Sequence, residues 1–427
     1  MNTVVLFICL YAFMAIGMPV AISLGLSSLL TIAFFSQDSL ASMSIKLFET
    51  SEHYTLMAIP FFVLAGNLMS TGGVAKRMVR FAIAAVGHLR GGLAIASILA
   101  CMLFAAVSGS SPATVVAIGS ILMPAMVKAG FPKRFGAGVI TTSGALGILI
   151  PPSIVMVMYS VSTNTSVGAL FMAGIIPGLV LASMLGFTTW YRAWKNDYPR
   201  QPRATWRERW VSFRKAVWGL LLILVVMGGI YSGMFTPTEA AAVSAVYAFF
   251  VAVFVYKDMG LKDVPKVLLS SANMSAMLLY IITNAVLFSF LMTHENIPQE
   301  MASWMMGTGV GVIGFLLISN VLLLLAGNFM EPSSIVLILA PILFPIAMQL
   351  GIDPVHFGII MVVNMEVGMC HPPVGLNLYV SSGITKMGIT ELTVAVWPWL
   401  LTMLVFLVIV TYWPPLSIWL PKMMGMM

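Results

Sequence analysis

Long apolar runs separated by short polar breaks dominate the chain. An α-helix rising 1.5 Å per residue needs about 20 such residues to cross a hydrocarbon core of about 30 Å. Runs of this kind occupy residues 3–35, 55–71, 165–190, 216–234, 238–256, 267–292 and 392–413. The first is too long for one straight span, and Gly17-Met18-Pro19 can kink it or divide it in two, because proline removes a helical donor. Residues 36–54, with Asp38, Lys46, Glu49 and Glu52, read as a helix lying in the interface. Residues 73–90 carry Lys76, Arg77, Arg80, His88 and Arg90 on an apolar background, a pattern that can either cross or lie flat.

Two stretches break the pattern in the same way. Residues 91–128 are apolar around SGSSP at 108–112, and residues 308–350 are apolar around GNFMEP at 327–332. Each predicts a re-entrant hairpin whose polar tip is buried in protein or faces water, because loop backbone exposed to lipid leaves its donors and acceptors unsatisfied. A broken helix is expected after each: residues 133–163 contain GALGILIPPS at 144–153, and residues 355–383 contain VGMCHPPVGLN at 367–377. Tandem prolines downstream of glycines remove midspan helical hydrogen bonds and open the helix into halves.

These landmarks recur in one register. Pro112 and Pro332, Gly130 and Gly351, Phe135-Gly136 and Phe357-Gly358, Pro151-Pro152 and Pro372-Pro373, and Pro177 and Pro398 are separated by 220–222 residues. The order hairpin, broken helix, final span therefore occurs twice. Expected units are repeat 1 over 1–191, a basic cytoplasmic connection over 192–215, and repeat 2 over 216–427. Two such halves are the signature of a secondary transporter built from repeats. The repeats read as inverted. Counting 3–35 as one span and 73–90 as a crossing gives the odd number of crossings that inversion needs, five per half; splitting 3–35 gives six. Lys128, Lys133 and Arg134 put the base of the first hairpin inside, and the second has no comparable basic base.

Charge sharpens the class. Only 8% of the 427 residues are Asp, Glu, Lys or Arg, against about 25% in soluble domains. With 60% hydrophobic residues and a mean hydropathy of +1.02, the chain is a multi-pass membrane protein. The net charge of +7 does not make it a nucleic-acid binder. Residues 192–215 hold eight basic residues against Asp197 and Glu208, a surplus of six out of that seven. A basic connection between apolar runs marks the cytoplasmic side. Trp190, Trp194, Trp206 and Trp210 set the same segment at an interface, where it serves as a topology determinant or binds anionic headgroups. Cys9, Cys101 and Cys370 have no disulfide or metal spacing. The first 20 residues lack a basic leader and cleavage site, and read as a retained membrane segment. HExxH, GxSxG and Walker A motifs are absent, so the chain is not read as a protease, hydrolase or ATP-driven pump.

Candidate chemistry sits at the interruptions, where free N–H groups suit anions and free C=O groups suit small cations. The first copy supplies Ser108, Ser110, Ser111, Thr114, Thr141, Thr142, Ser143 and Ser153. The second supplies Asn328, Glu331, Ser333, Ser334, Asn364, Glu366, His371 and Asn377. Hydroxyls and carbonyls suit Na⁺, a hard cation, and an anionic substrate fits between the hairpin tips. Bland readings stand beside these. Glu239 completes a capping box with Thr236 and Pro237. Glu331 can cap a helix or act at the site, Glu366 is either a functional intramembrane acid or a buried neutral group, and His371 can pack a helix end.

FFVLAGNLM at 61–69, SGSSPAT at 108–114, GILIPPS at 147–153, MEPSSIVLILAPILFP at 330–345 and HPPVGLNLYV at 371–380 span the chain. Through them the sequence resembles the large membrane subunit of tripartite ATP-independent periplasmic (TRAP) transporters, C4-dicarboxylate type. The resemblance implies an all-α bacterial inner-membrane symporter of elevator type with two repeats. It implies no cofactor but a coupling Na⁺, and as partners a small four-helix membrane subunit, a periplasmic binding protein that delivers an organic acid, and the bilayer. Carried over, one Na⁺ site falls at Ser108, Gly109, Ser110, Ser111, Ser143, Gly144 and Gly147, and the other at Gly327, Asn328, Gly368, Met369, Cys370 and Pro372. Substrate contacts are expected at Ser110, Ser111, Pro151, Pro152, Glu331, Pro373 and Asn377. His371 and Glu331 stand where some members have Thr and Asp. The competing reading is a standalone dicarboxylate or anion symporter of the same hairpin architecture, needing no binding protein.

Overall fold

The computed structural model describes residues 2–35, 40–297, 299–300, 303, 307, 309 and 311–427. The described residues form helices and no strands, and eight of the helices are long and apolar enough to cross a membrane. The run 3–35 is divided: α1 (Asn2–Ala15) ends before Gly17, and α2 (Val20–Phe34) starts after Pro19. Its interruption is the Gly-Met-Pro triplet, where Gly17 takes φ +85° and proline precedes the first helical residue. Helix α3 (Leu40–Ser51) carries the interfacial segment, with Asp38 outside the described residues.

A short 3₁₀ turn at Tyr54–Met57 leads into α4 (Ala58–Thr71). Helix α5 (Val74–Val86) resolves the ambiguous stretch: its 13 residues are too few for a span. It buries Val74, Ala75, Met78, Val79 and Ala82 and packs on its neighbours α6 (Gly92–Ser108) and α11 (Trp206–Tyr231). Between them come α7 (Ser111–Lys128), α8 (Lys133–Ser143), α9 (Ile154–Thr163) and α10 (Val167–Lys195). The later elements are α12 (Pro237–Phe250), α13 (Val264–His294), α14 (Val312–Gly327), α15 (Pro332–Gln349), α16 (Pro354–Cys370), α17 (Leu376–Thr385), α18 (Ile389–Tyr412) and α19 (Pro415–Met423).

The basic segment 192–215 departs from a simple loop, because α10 runs on to Lys195 and α11 begins at Trp206. The physical reason is a capping box. The Thr205 hydroxyl accepts from the Glu208 N–H while the Glu208 carboxylate accepts from the Thr205 N–H at 2.7 Å, satisfying two N-terminal donors at once. Thr236 and Glu239 form the second such box, at the start of α12.

Packing sorts the helices into two groups. In one, α4 lies along α12 and α13, and α2 along α13, with the Asn67 amide donating to the Ser271 hydroxyl at 2.9 Å. In the other, the pair α6/α7 packs on α8, the pair α14/α15 packs on α16, and α10 and α18 brace them. Helix α16 is enclosed by others: every residue from Val355 to Cys370 is buried, His356, Asn364 and Glu366 included. Trp399 of α18 locks this second group: it is 1% exposed, packs edge-on against Phe135 of α8, and its indole N–H donates to the Thr189 hydroxyl of α10 at 2.8 Å.

Trp399→Ala is expected to cost about 3–5 kcal/mol of stability through cavity formation and loss of the Thr189 bond. Thermal unfolding in detergent checks it, with Trp397→Ala, at a 48% exposed position, near wild type.

Candidate functional site

Both hairpins close on a helix break. In the first, α6 and α7 are joined by Gly109-Ser110, and α8 passes through a 3₁₀ turn (Gly144–Ile148) into the Pro151-Pro152 interruption before α9. Ser153 restarts the helix by accepting the Met156 N–H. Gly147 packs so close to the tip that a Cβ there would lie 2.6 Å from the Ser110 carbonyl oxygen and 2.7 Å from the Ser111 Cα. Only glycine allows that approach. In the second hairpin the backbones of Gly327 and Gly368 meet, and a Cβ on either would come within 2.9 Å of the other's Cα. Gly368 is the residue 221 positions after Gly147, so the two closures obey the repeat register. Both Pro-Pro bonds, Pro151-Pro152 and Pro372-Pro373, are cis.

Oxygen atoms gather at both closures. In the first, the Ser108 and Thr114 hydroxyls are 2.9 Å apart, and Thr114 donates to the Ser110 carbonyl at 2.8 Å. Ser143 turns back on its own helix, donating to the Val139 carbonyl at 2.7 Å, and Gly144 packs beside Val115. In the second, His371 Nδ1 lies 2.9 Å from Asn328 Oδ1, tying the tip to the break, with Met369 and Cys370 just upstream and Pro372 just after. Gly109 lies against the Pro152 carbonyl. These clusters hold hydroxyl, amide and carbonyl oxygens, the donor set that a hard monovalent cation requires.

Asn377 joins the two copies. Its amide N–H donates to the Ser111 hydroxyl at 2.8 Å and to the Thr141 carbonyl at 3.4 Å, and Ser111 donates back to Asn377 Oδ1 at 3.2 Å. Beside it Thr141 donates to the Ser381 hydroxyl at 2.7 Å, and the Cys370 thiol faces the Thr141 carbonyl. Ser381 was not legible in the sequence, where a serine in an apolar helix, here beside Ser382, has no distinguishing pattern.

A cavity of about 500 Å³ opens between the tips. Gly109, Ser110, Ser111 and Pro112 line it from the first hairpin, and Glu331, Pro332 and Ser333 from the second. Ile148, Ile154, Met369 and Leu376 add apolar surface from the breaks, and Met274, Met277 and Leu278 of α13 close the far wall. Among the expected substrate residues, Ser110, Ser111 and Glu331 line this cavity; Pro151, Pro152, Pro373 and Asn377 do not. Glu331 caps α15, its carboxylate accepting the Ser333 hydroxyl at 2.7 Å and the N–H groups of Ser333 and Ser334. The three α13 residues belong to an unremarkable apolar span and had no sequence signal. Glu366 is fully buried, and neither of its carboxyl oxygens has a hydrogen-bond partner among the described residues.

Residues 7–416 match the family model for the tripartite ATP-independent periplasmic transporter, DctM component. The chain belongs to that family. Family members are transporter permease subunits of the inner membrane and not enzymes. The chain is 67% identical over its full length, and that of the relative, to the C4-dicarboxylate TRAP transporter large permease protein DctM of Rhodobacter capsulatus. It is 60% identical to the protein of the same name from Pseudomonas aeruginosa, with 95% of each chain covered. Among solved structures, the Alcanivorax borkumensis YdaH transporter has a similar fold, with a TM-score of 0.66 and 17% identity over 90% of this chain and 91% of that one. At that identity the likeness shows the fold alone.

Asn377→Leu leaves the Ser111 hydroxyl and the Thr141 carbonyl without their shared partner in a buried site, at an expected cost of about 1–3 kcal/mol. A lower thermal midpoint in detergent is the readout.

Proposed function

We propose that this permease subunit imports C4-dicarboxylates, or a closely related organic acid, by Na⁺-coupled symport with an elevator movement of two inverted repeats. A periplasmic binding protein delivers the acid, and a small four-helix membrane subunit completes the assembly. The observation that carries this reading is the cavity between the two hairpin tips, each tip closed by glycine onto a helix break. Two Na⁺ bind where tip meets break: one at Ser108–Ser111 with Ser143–Gly147, the other at Gly327 and Asn328 with Gly368–Pro372. The N-terminus of α7 lines the cavity, and bound Na⁺ adds positive charge, so a dianion is held without a basic side chain in the lining. Filling both ion sites firms the tips, and the tips, breaks and substrate then slide as one body along α13. Support for the dicarboxylate comes from the names of the two relatives.

Two Na⁺ with one dianion move no net charge, so the membrane potential contributes nothing; each further Na⁺ adds about 2.3 kcal/mol per 100 mV. Proteoliposomes holding the chain and its small subunit, supplied with binding protein and labelled succinate, should take up label only under an inward Na⁺ gradient and without current. Uptake without binding protein would favour the standalone symporter, uptake indifferent to Na⁺ would overturn coupling, and inward positive current would show a third ion.

A further inference from the structure

The transport site leaves unused a second, strongly charged cavity of about 600 Å³ at the junction of α5, α11 and the segment after α12. Helix α5 turns Lys76 and Arg80, one helical turn apart, toward it, and α11 adds the neighbouring pair Arg214 and Lys215. The one acid in the lining, Asp258, is already paired with Arg77, whose guanidinium lies 3.8 Å from the centre of the Tyr256 ring. Of the three salt bridges among the described residues, none involves the other four cations. Among the described residues, four like charges therefore face one space without an ion-pair partner, an arrangement that favours an anion there.

The frame around this space is built. Tyr256 donates through its hydroxyl to the Lys215 carbonyl at 2.7 Å, and Tyr247 likewise to the Trp218 carbonyl at 2.8 Å, which pins α11 against the end of α12. The Gly73 backbone lies against the Asp258 carboxylate, fixing the start of α5. One side of the cavity is apolar, with Val211, Val255 and the half-exposed indole of Trp218. Helix α11 also exposes Trp206 and Trp210, 83% and 66% accessible, which is the pattern of an interfacial aromatic belt. A basic floor with an apolar, tryptophan-bearing edge suits a ligand that is anionic at one end and greasy at the other.

We propose that this cavity binds the phosphodiester headgroup of an anionic phospholipid from the cytoplasmic leaflet. The lipid ties α5 to α11 and to the segment after α12, and so stiffens the junction on which the first arm of the first hairpin, α6, also packs. Lys76, Arg80, Arg214 and Lys215 contact the phosphate, while the glyceride lies along Trp218. Free inorganic phosphate shares the charge and lacks the apolar end.

The test is native mass spectrometry of the full-length chain in detergent, titrated with phosphatidylglycerol, phosphatidylcholine or sodium phosphate. Wild type should retain phosphatidylglycerol in preference to phosphatidylcholine. A basic group near a membrane surface contributes about five-fold to such binding, so the triple variant R80Q/R214Q/K215Q should lose about 100-fold of the preference. The variant K195Q/R200Q/R203Q, which removes three charges outside the cavity, should keep it. Melting curves in phosphatidylcholine alone verify that both variants are folded, and a second triple, K76Q/R80Q/R214Q, replaces the first if it is not. Equal loss in the outside and cavity variants, or no preference in wild type, would overturn the proposal. So would displacement of the lipid by low-millimolar phosphate, which would assign the cavity to the free anion.

Discussion

Two helices are interrupted deep inside an apolar bundle, and the backbone groups those interruptions release must find polar company. Lipid cannot supply it. The rest of the second helix group is arranged around that requirement: each hairpin brings a polar tip to one break, and glycine at Gly147 or at the Gly327/Gly368 contact lets the two backbones touch. The same closeness that satisfies the peptide groups concentrates carbonyl and hydroxyl oxygens in two small volumes. A structural necessity of the fold thus gathers the oxygen ligands that suit a hard cation.

The two copies are not used identically. Ser111 and Glu331 hold equivalent places, each just before the proline that opens the second arm of its hairpin, yet their partners differ. Ser111 reaches across to Asn377 of the other copy, whereas Glu331 folds onto the N-terminus of its own helix α15. Asn377 is one of the polar ties between repeats, and it lies outside the cavity's lining. The cavity has apolar material from α13 on its far side, and that helix packs with α2 and α4 in the first group. The tip cavity therefore lies at the boundary between the two helix groups.

Much of this was legible in the sequence because prolines, glycines and charges are rare enough in an apolar chain to act as punctuation. Pro151-Pro152 and Pro372-Pro373 mark both breaks, SGSSP and GNFMEP both tips, and Thr236 with Glu239 the start of α12. What escaped was of two kinds. Local capping by Thr205 and Glu208 extends α11 ten residues into a stretch whose charge had suggested a loop. Contacts between apolar helices escaped as well, because a span such as α13 scatters its serines, threonines and asparagines among apolar residues, and nothing in their order tells which side meets the cavity. Met274, Met277 and Ser381 are of that kind, and so is the absence of hydrogen-bond partners for Glu366 among the described residues.

The claim that the tip-to-break contacts form the cation sites is tested most directly by thermal unfolding of the purified chain in NaCl against choline chloride at equal ionic strength. Wild type should unfold at a higher temperature in Na⁺, and Gly147→Ala with Gly368→Ala together should remove that difference while leaving a cooperative transition in both salts. A Na⁺-specific shift that survives the double substitution, or no difference between the salts in wild type, would contradict it.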